Sequence, residues 1–191
     1  MANKLLAVGC SFLMPRKGVI PQVQILADTL DYELVNRSIA GNGNQHIIYH
    51  VIDEVQKHNY ELVCIGWSNP GRWDYITKNN KWFAHKVINF MDDINKDIDL
   101  DQTFKMQWCP QVLMLTEYLR SQRVNFVMWN SLKTPQHPDL KNISEFYASD
   151  ECHIEHLRKH KQYISKDDHH PDQQSHEIWA DKILDHVQRL T

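Results

Sequence analysis

Two short stretches near opposite ends of the chain carry side chains suited to acyl transfer. In "LLAVGCSF" (residues 5–12) an apolar run climbs to a glycine, and Cys10 and Ser11 follow side by side. In "KDDHHPDQQSHEIWADKIL" Asp167 and His170 stand three apart, ahead of Pro171 and a helical pattern. A histidine held by a carboxylate on one short loop meets the needs of a general base. The carboxylate fixes the imidazole tautomer and stabilises its charged form, while the other ring nitrogen faces a nucleophile. Ser11 is the hydroxyl to be activated. The oxyanion made by its attack needs donors, and the backbone N–H groups of Ser11 and Gly41 are available, with a side-chain amide from "GWSNPGR". A lone serine after a strand more often caps a loop; with Asp167, His170 and Gly41 in order, nucleophile is the favoured reading. Cys10 reads as a small buried hydrophobe, with a thiol nucleophile as the second option.

These groups need a scaffold that brings residues 11, 41, 68 and 170 together. Four runs dense in aliphatic residues predict strands: Lys4 to Gly9, Tyr32 to Asn36, Glu61 to Gly66 and Val124 to Asn130. Their near-continuous apolar character suits strands covered on both faces. Helical patterns lie between them, in "IPQVQILADTL", "NQHIIYHVIDEVQKH" and "CPQVLMLTEYLRSQ", and "SHEIWADKILDHVQRL" closes the chain. The alternation predicts right-handed βαβ units in a three-layer α/β/α sandwich, with a four- to five-stranded, mainly parallel, flavodoxin-like sheet. One domain over residues 1–191 is expected, with insertions around 67–107 and 133–166. The first should hold an extra helix in "KWFAHKVINFMDDI"; the second holds a His-rich helix candidate. Ligands gather at the carboxyl ends of strands in such sheets. Those ends read "GCS", "NRSIAGNGN", "GWSNPGR" and "NSLKTP", all small, polar or glycine-rich.

In this order and spacing the blocks resemble the SGNH (GDSL-type) hydrolases across nearly the whole chain. Gly9-Cys10-Ser11-Phe12 stands for the first block, Gly41 for the glycine of the second, "GWSNPGR" for the third, and Asp167 with His170 for the last. The resemblance implies a Ser11–His170–Asp167 triad and an oxyanion hole of Ser11, Gly41 and an amide, with no cofactor and no metal. Two positions depart from the pattern. Cys10 replaces the first block's aspartate, and Ser68 falls where the third block has its asparagine, with Asn69 one residue later before Pro70. Either Asn69 or Ser68 supplies that donor, or it is lost, at a cost of about 10²–10³ in turnover. The "GCSF" and "GWS…R" variants also look like SGNH-like proteins of tailed bacteriophages. The function implied is hydrolysis of an acyl or acetyl ester, with carbohydrate as one carrier. The alternative is a weak or inactive binding or structural protein, a virion or host-interaction factor.

Composition narrows the field. Over 191 residues the chain has 42% hydrophobic and 24% charged content, which is ordinary for a globular protein. A net charge of −3 disfavours nucleic-acid partners bound by bulk phosphate neutralisation. No apolar run spans a membrane, and Leu5 to Val8 is too short for a secretory core, so a cytoplasmic location is expected. The four cysteines lack CxxC spacing and are expected reduced. Arg72, Trp67 and Asn42 are candidates for the pocket wall, Arg72 as an anchor for an anionic group. His169 reads as a solvated loop residue and His176 as structural. Cys152, His156 and His160 recur every fourth residue, a spacing two zinc ligands can share. Three such residues stretch too far for one ion, and a solvated helix face is the favoured reading.

Overall fold

A computed structural model describes residues 3–16, 18–76, 82–86, 100–134, 138–147 and 151–190. Five parallel strands build the main sheet: β1 (Lys4–Val8), β2 (Glu33–Asn36), β3 (Leu62–Trp67), β6 (Phe126–Asn130) and β7 (Phe146–Tyr147), in the order β2-β1-β3-β6-β7. This is the doubly wound, flavodoxin-like order, and the predicted three-layer α/β/α class is correct.

Strand alternation divides the core in two. Leu5, Ala7, Cys64, Val127 and Trp129 face α1 (Gln22–Leu30) and the C-terminal α5 (Gln173–Gln188), where Val23, Leu26, Trp179 and Ile183 are buried. Leu6, Val8, Val63, Ile65, Trp67 and Met128 face the other way. They meet Ile47 and Val51 of α2 (Asn44–Lys57) and Trp108, Val112, Leu115 and Leu119 of α3 (Leu100–Ser121). Apolar residues on both faces of each strand are what the near-continuous runs in the sequence encoded.

The insertions differ from expectation in one place. Residues 82–86 of the expected helix form a strand, β5 (Trp82–Lys86), paired antiparallel with β4 (Arg72–Ile76) from Arg72↔Lys86 to Ile76↔Trp82. "WDYI" and "WFAH" are aromatic and β-branched enough to favour a ribbon over a helix. The remainder of that predicted helix lies outside the described residues. The second insertion contains a 3-10 turn (Pro138–Asn142), the edge strand β7 and α4 (His153–His160), the expected His-rich helix. Among the described residues no helix is long and apolar enough to cross a membrane.

Candidate active site

β1 ends at Val8, and Gly9 and Cys10 lead into a 3-10 turn, Ser11–Leu13, at the carboxyl edge of the sheet. That turn folds tightly onto the strand ends. A Cβ on Gly9 would stand 2.9 Å from both the Gly66 carbonyl and Leu13 Cδ2, so a side chain there is excluded. Asn36, the last residue of β2, donates from Nδ2 to the Leu13 carbonyl (2.7 Å) and accepts from Ser38 N–H (2.9 Å). The serine-bearing turn is therefore pinned from the neighbouring strand.

His170 arrives from the opposite end of the chain on the loop before α5. Its Nε2 lies 3.0 Å from Ser11 Oγ, in position to accept the hydroxyl proton. Its Nδ1 lies 2.6 Å from a carboxylate, and that carboxylate is Asp168, not the expected Asp167. The reason is local. A tight turn joins Ser165 and Asp168 through reciprocal backbone bonds (3.3 Å each), and Ser165 Oγ accepts from Asp168 N–H (3.1 Å). Asp168 Oδ1 then accepts from the His170 backbone N–H (3.2 Å) as well as from the ring, an Asx turn that closes over two residues. Asp167 is left exposed on the outside of the turn. Pro171 bridges to Tyr163, and Asp172 caps α5 by accepting from Ser175 N–H (2.8 Å), so the loop is fixed on both sides.

Arg16 was not singled out in the sequence. Its Nη1 stands 3.3 Å from His170 Nδ1 and 3.9 Å from Asp168 Oδ2. It also borders a groove of about 560 Å³ walled by Val19, Ile20, Pro21, Leu34 and Asn36. No motif signals this arginine, which the fold brings to the histidine beside its bridge to Val19.

Behind the site the packing is aromatic. Phe12 contacts the His170 ring on one side (5.8 Å between centroids) and buried His153 on the other (5.3 Å). His153 stacks on Trp179 (4.5 Å, 4°) and bonds Ser175 Oγ (3.1 Å). His176, expected to be structural, is buried and bonded to the Gln22 carboxamide; burial, with His170 nearby, lowers it to about 4. His169 is exposed, as expected.

The oxyanion side is more altered. Gly41 adopts φ +80° and is exposed, with open space where a Cβ would sit, and among the described residues nothing accepts from its N–H. Asn69 does not serve the site. Its Oδ1 accepts from Gly71 N–H (2.7 Å) and its Nδ2 donates to the Lys133 carbonyl (3.4 Å), so the turn through Pro70 consumes the carboxamide. Ser68 is fully buried, bracketed by Asn44 through its N–H (2.8 Å) and carbonyl (3.2 Å), and its Oγ accepts from Arg72 (3.0 Å).

Two further expectations are corrected, and the reading of Cys10 is narrowed. Trp67 is fully buried rather than exposed on a pocket wall, since alternation along β3 turns it into the core against Trp108. Asn42 is buried and braces the loop, donating to the Gly9 carbonyl (3.3 Å) and bonding His46 Nδ1 (2.5 Å). Cys10 is the small buried residue favoured from the sequence, and burial pushes its thiol up, against the second reading as a nucleophile. Beyond the site, Cys152 Sγ turns to Glu155 (3.2 Å), so the group that gathers with His156 and His160 has Glu151 in its place. Ammonium groups crowd it, Lys182 Nζ 3.4 Å from His156 and Lys159 Nζ 3.6 Å from Glu151.

Asp74 on β4 was also missed. Its carboxylate accepts from the N–H groups of Gly43 and His46 (2.9 Å each), capping α2 directly after the Gly41 loop. Burial raises its pKa, and those N–H bonds and Arg72 oppose the rise.

Ser11, His170 and Asp168 thus converge at the carboxyl edge of a doubly wound sandwich. No protein-family model and no curated protein matches this chain. Solved structures do. The psychrotrophic esterase EstA from Pseudoalteromonas sp., inhibited by monoethylphosphonate, superposes with a TM-score of 0.59 at 10% identity, over 98% of each chain. A catalytic mutant of Axe2, an acetylxylan esterase from Geobacillus stearothermophilus, gives 0.60 at 15% identity, over 97% of this chain and 94% of that one. A protein of the G-D-S-L family from Desulfitobacterium hafniense gives 0.53 at 12%, over 96% and 99%. At these identities the likeness establishes a shared fold.

Proposed function

We propose that this protein is a serine hydrolase of SGNH type that cleaves an acyl or acetyl ester, with an acetylated carbohydrate as the favoured substrate class. The observation that carries this reading is the 3.0 Å contact of Ser11 Oγ with His170 Nε2, backed by Asp168 at 2.6 Å on Nδ1. Ser11 attacks the acyl carbon as His170 takes its proton, and Asp168 holds the ring and balances the imidazolium charge. The Ser11 and Gly41 N–H groups receive the oxyanion. Collapse expels the alcohol, protonated by His170, and leaves an acyl-enzyme. Water, activated by the same imidazole, then releases the acid. The acetylxylan esterase among the structural neighbours supports the carbohydrate ester. No metal or cofactor has a role in these steps.

A second reading has one observation in its favour: Asn69 is bound into its turn and Ser68 is too short to replace it. On that reading the cleft binds without turnover, as in a phage virion or host-interaction factor. Labelling with a fluorophosphonate probe separates the two. The esterase reading expects a covalent adduct on Ser11, hydrolysis of p-nitrophenyl acetate and of acetylated xylo-oligosaccharides, and loss of all three in Ser11→Ala. A folded wild-type protein that takes no label and cleaves no ester establishes the binding reading instead.

A further inference from the structure

Ser68 provides only a short hydroxyl where the SGNH resemblance implies a carboxamide, and a different side chain is bonded to that hydroxyl. Arg72, the first residue of β4, folds back across the Asn69–Gly71 turn, which its own N–H closes by donating to the Asn69 carbonyl (3.0 Å). Its Nη1 donates to Ser68 Oγ (3.0 Å) and to the Asn42 carbonyl (3.1 Å). These acceptors belong to the two loops that frame the oxyanion position. Asn42 follows Gly41, and Ser68 follows the last residue of β3. With both Nη1 hydrogens engaged, Nη2 makes no hydrogen bond to the described residues. No carboxylate lies within ion-pair distance of Arg72 among them either. Asp74, the nearest acidic candidate on the same strand, is spent on the α2 cap. The guanidinium charge is felt at the buried Cys10 thiol, directly preceding Ser11.

We propose that the Arg72 guanidinium replaces the carboxamide as the third oxyanion donor. This role rests on the reading of Ser11 as nucleophile. As the Ser11 Oγ–acyl carbon bond forms and the hydroxyl proton passes to His170 Nε2, the carbonyl π pair moves onto oxygen. That oxygen is met by the Ser11 and Gly41 N–H groups and by Arg72 Nη2. When the C–O bond to the alcohol breaks, the pair returns to the carbonyl and His170 protonates the departing alkoxide. A guanidinium gives a charge-assisted bond where the carboxamide gives a neutral one, about twice as strong. The same geometry explains why the chain dispenses with the amide: Ser68 serves as the prop that aims Arg72.

Steady-state kinetics on p-nitrophenyl acetate test this with wild type, Arg72→Ala, Arg72→Lys and the double variant Arg72→Ala/Ser68→Asn. Arg72→Ala is expected to lower kcat by about 10²–10³ with KM nearly unchanged, the pattern of a contact made in the transition state. Guanidinium ion added to Arg72→Ala, and Ser68→Asn built into it, should each recover part of the loss. Wild-type kcat in Arg72→Ala, a change confined to KM, or no recovery by either route overturns the role of Arg72 while leaving the esterase intact. If the alanine variant does not fold, Arg72→Lys decides. It keeps the charge without the planar fork, so turnover about tenfold lower or worse is expected, and wild-type turnover overturns the proposal. A wild type with neither label nor turnover overturns the esterase reading itself.

Discussion

Asp167 and Asp168 carry the same side chain at adjacent positions, and only the backbone decides which one meets His170. The Ser165–Asp168 turn and the Asx bond to His170 N–H place Asp168 inward. Asp168→Asn should therefore cut turnover on the order of 10³–10⁴-fold by releasing the imidazole tautomer, whereas Asp167→Asn should leave it near wild type. Kinetics of the two variants on one ester check both statements, and equal losses would mean that the turn opens in solution. The sequence shows why the two were exchanged: "KDDHHP" satisfies the family spacing with Asp167, and the choice of Asp168 depends on dihedral angles that residue types do not reveal. The meeting of Ser11 with His170 was legible because each sits at a strand end or loop fixed by its neighbours. Arg16 was not, since it reaches the histidine only through three-dimensional folding of an unremarkable loop.

Among the elements, the serine-bearing turn lies on glycine clearances. A Cβ on Gly66 would stand 2.5 Å from Leu13 Cδ1 and 2.6 Å from Ser131 Oγ. Gly66→Ala should thus push Leu13, and the turn with it, off the end of β3, costing about 1–3 kcal/mol in stability and disturbing the Ser11–His170 contact. Denaturant unfolding and probe-labelling rate measure the two effects; unchanged values for both would show that the turn has room to spare. β1, β3 and β6 were readable because burial on both faces leaves an uninterrupted apolar run, and border strand β2 because Leu34 and Val35 still pack against the two core layers. The ribbon β4–β5 was not, because "WDYITKNNKWF" mixes aromatic and polar residues without the alternation of a half-buried strand. β7 is too short, at two residues, to leave any periodic signal. Likewise Asp74 gave no hint of its cap, which spans 31 residues to Gly43.

For the molecule as a whole, buried imidazoles set the response to acid. Burial lowers His176 to about 4 with help from His170, and lowers His46 to about 4 with help from His50; burial also drives His153 well down. In the unfolded chain each regains a pKa near ~6.5. Below that value the unfolded state binds protons that the folded state refuses, so stability is complete above about pH 6.5 and falls as pH drops toward 4. Melting temperatures followed from pH 7.5 to 4.5 should decline through this window, and His176→Gln should flatten the decline; a level profile contradicts the burial of these rings. Composition could not reveal this, since twelve histidines in a sequence do not say which are enclosed.

The sheet is bordered by β2, with four residues, and β7, with two. A long flat border exposes rows of unpaired N–H and C=O groups on which another molecule can add a strand. Borders this brief present little backbone for such templating, so among the described residues the main sheet offers no ready seed for edge-to-edge polymers.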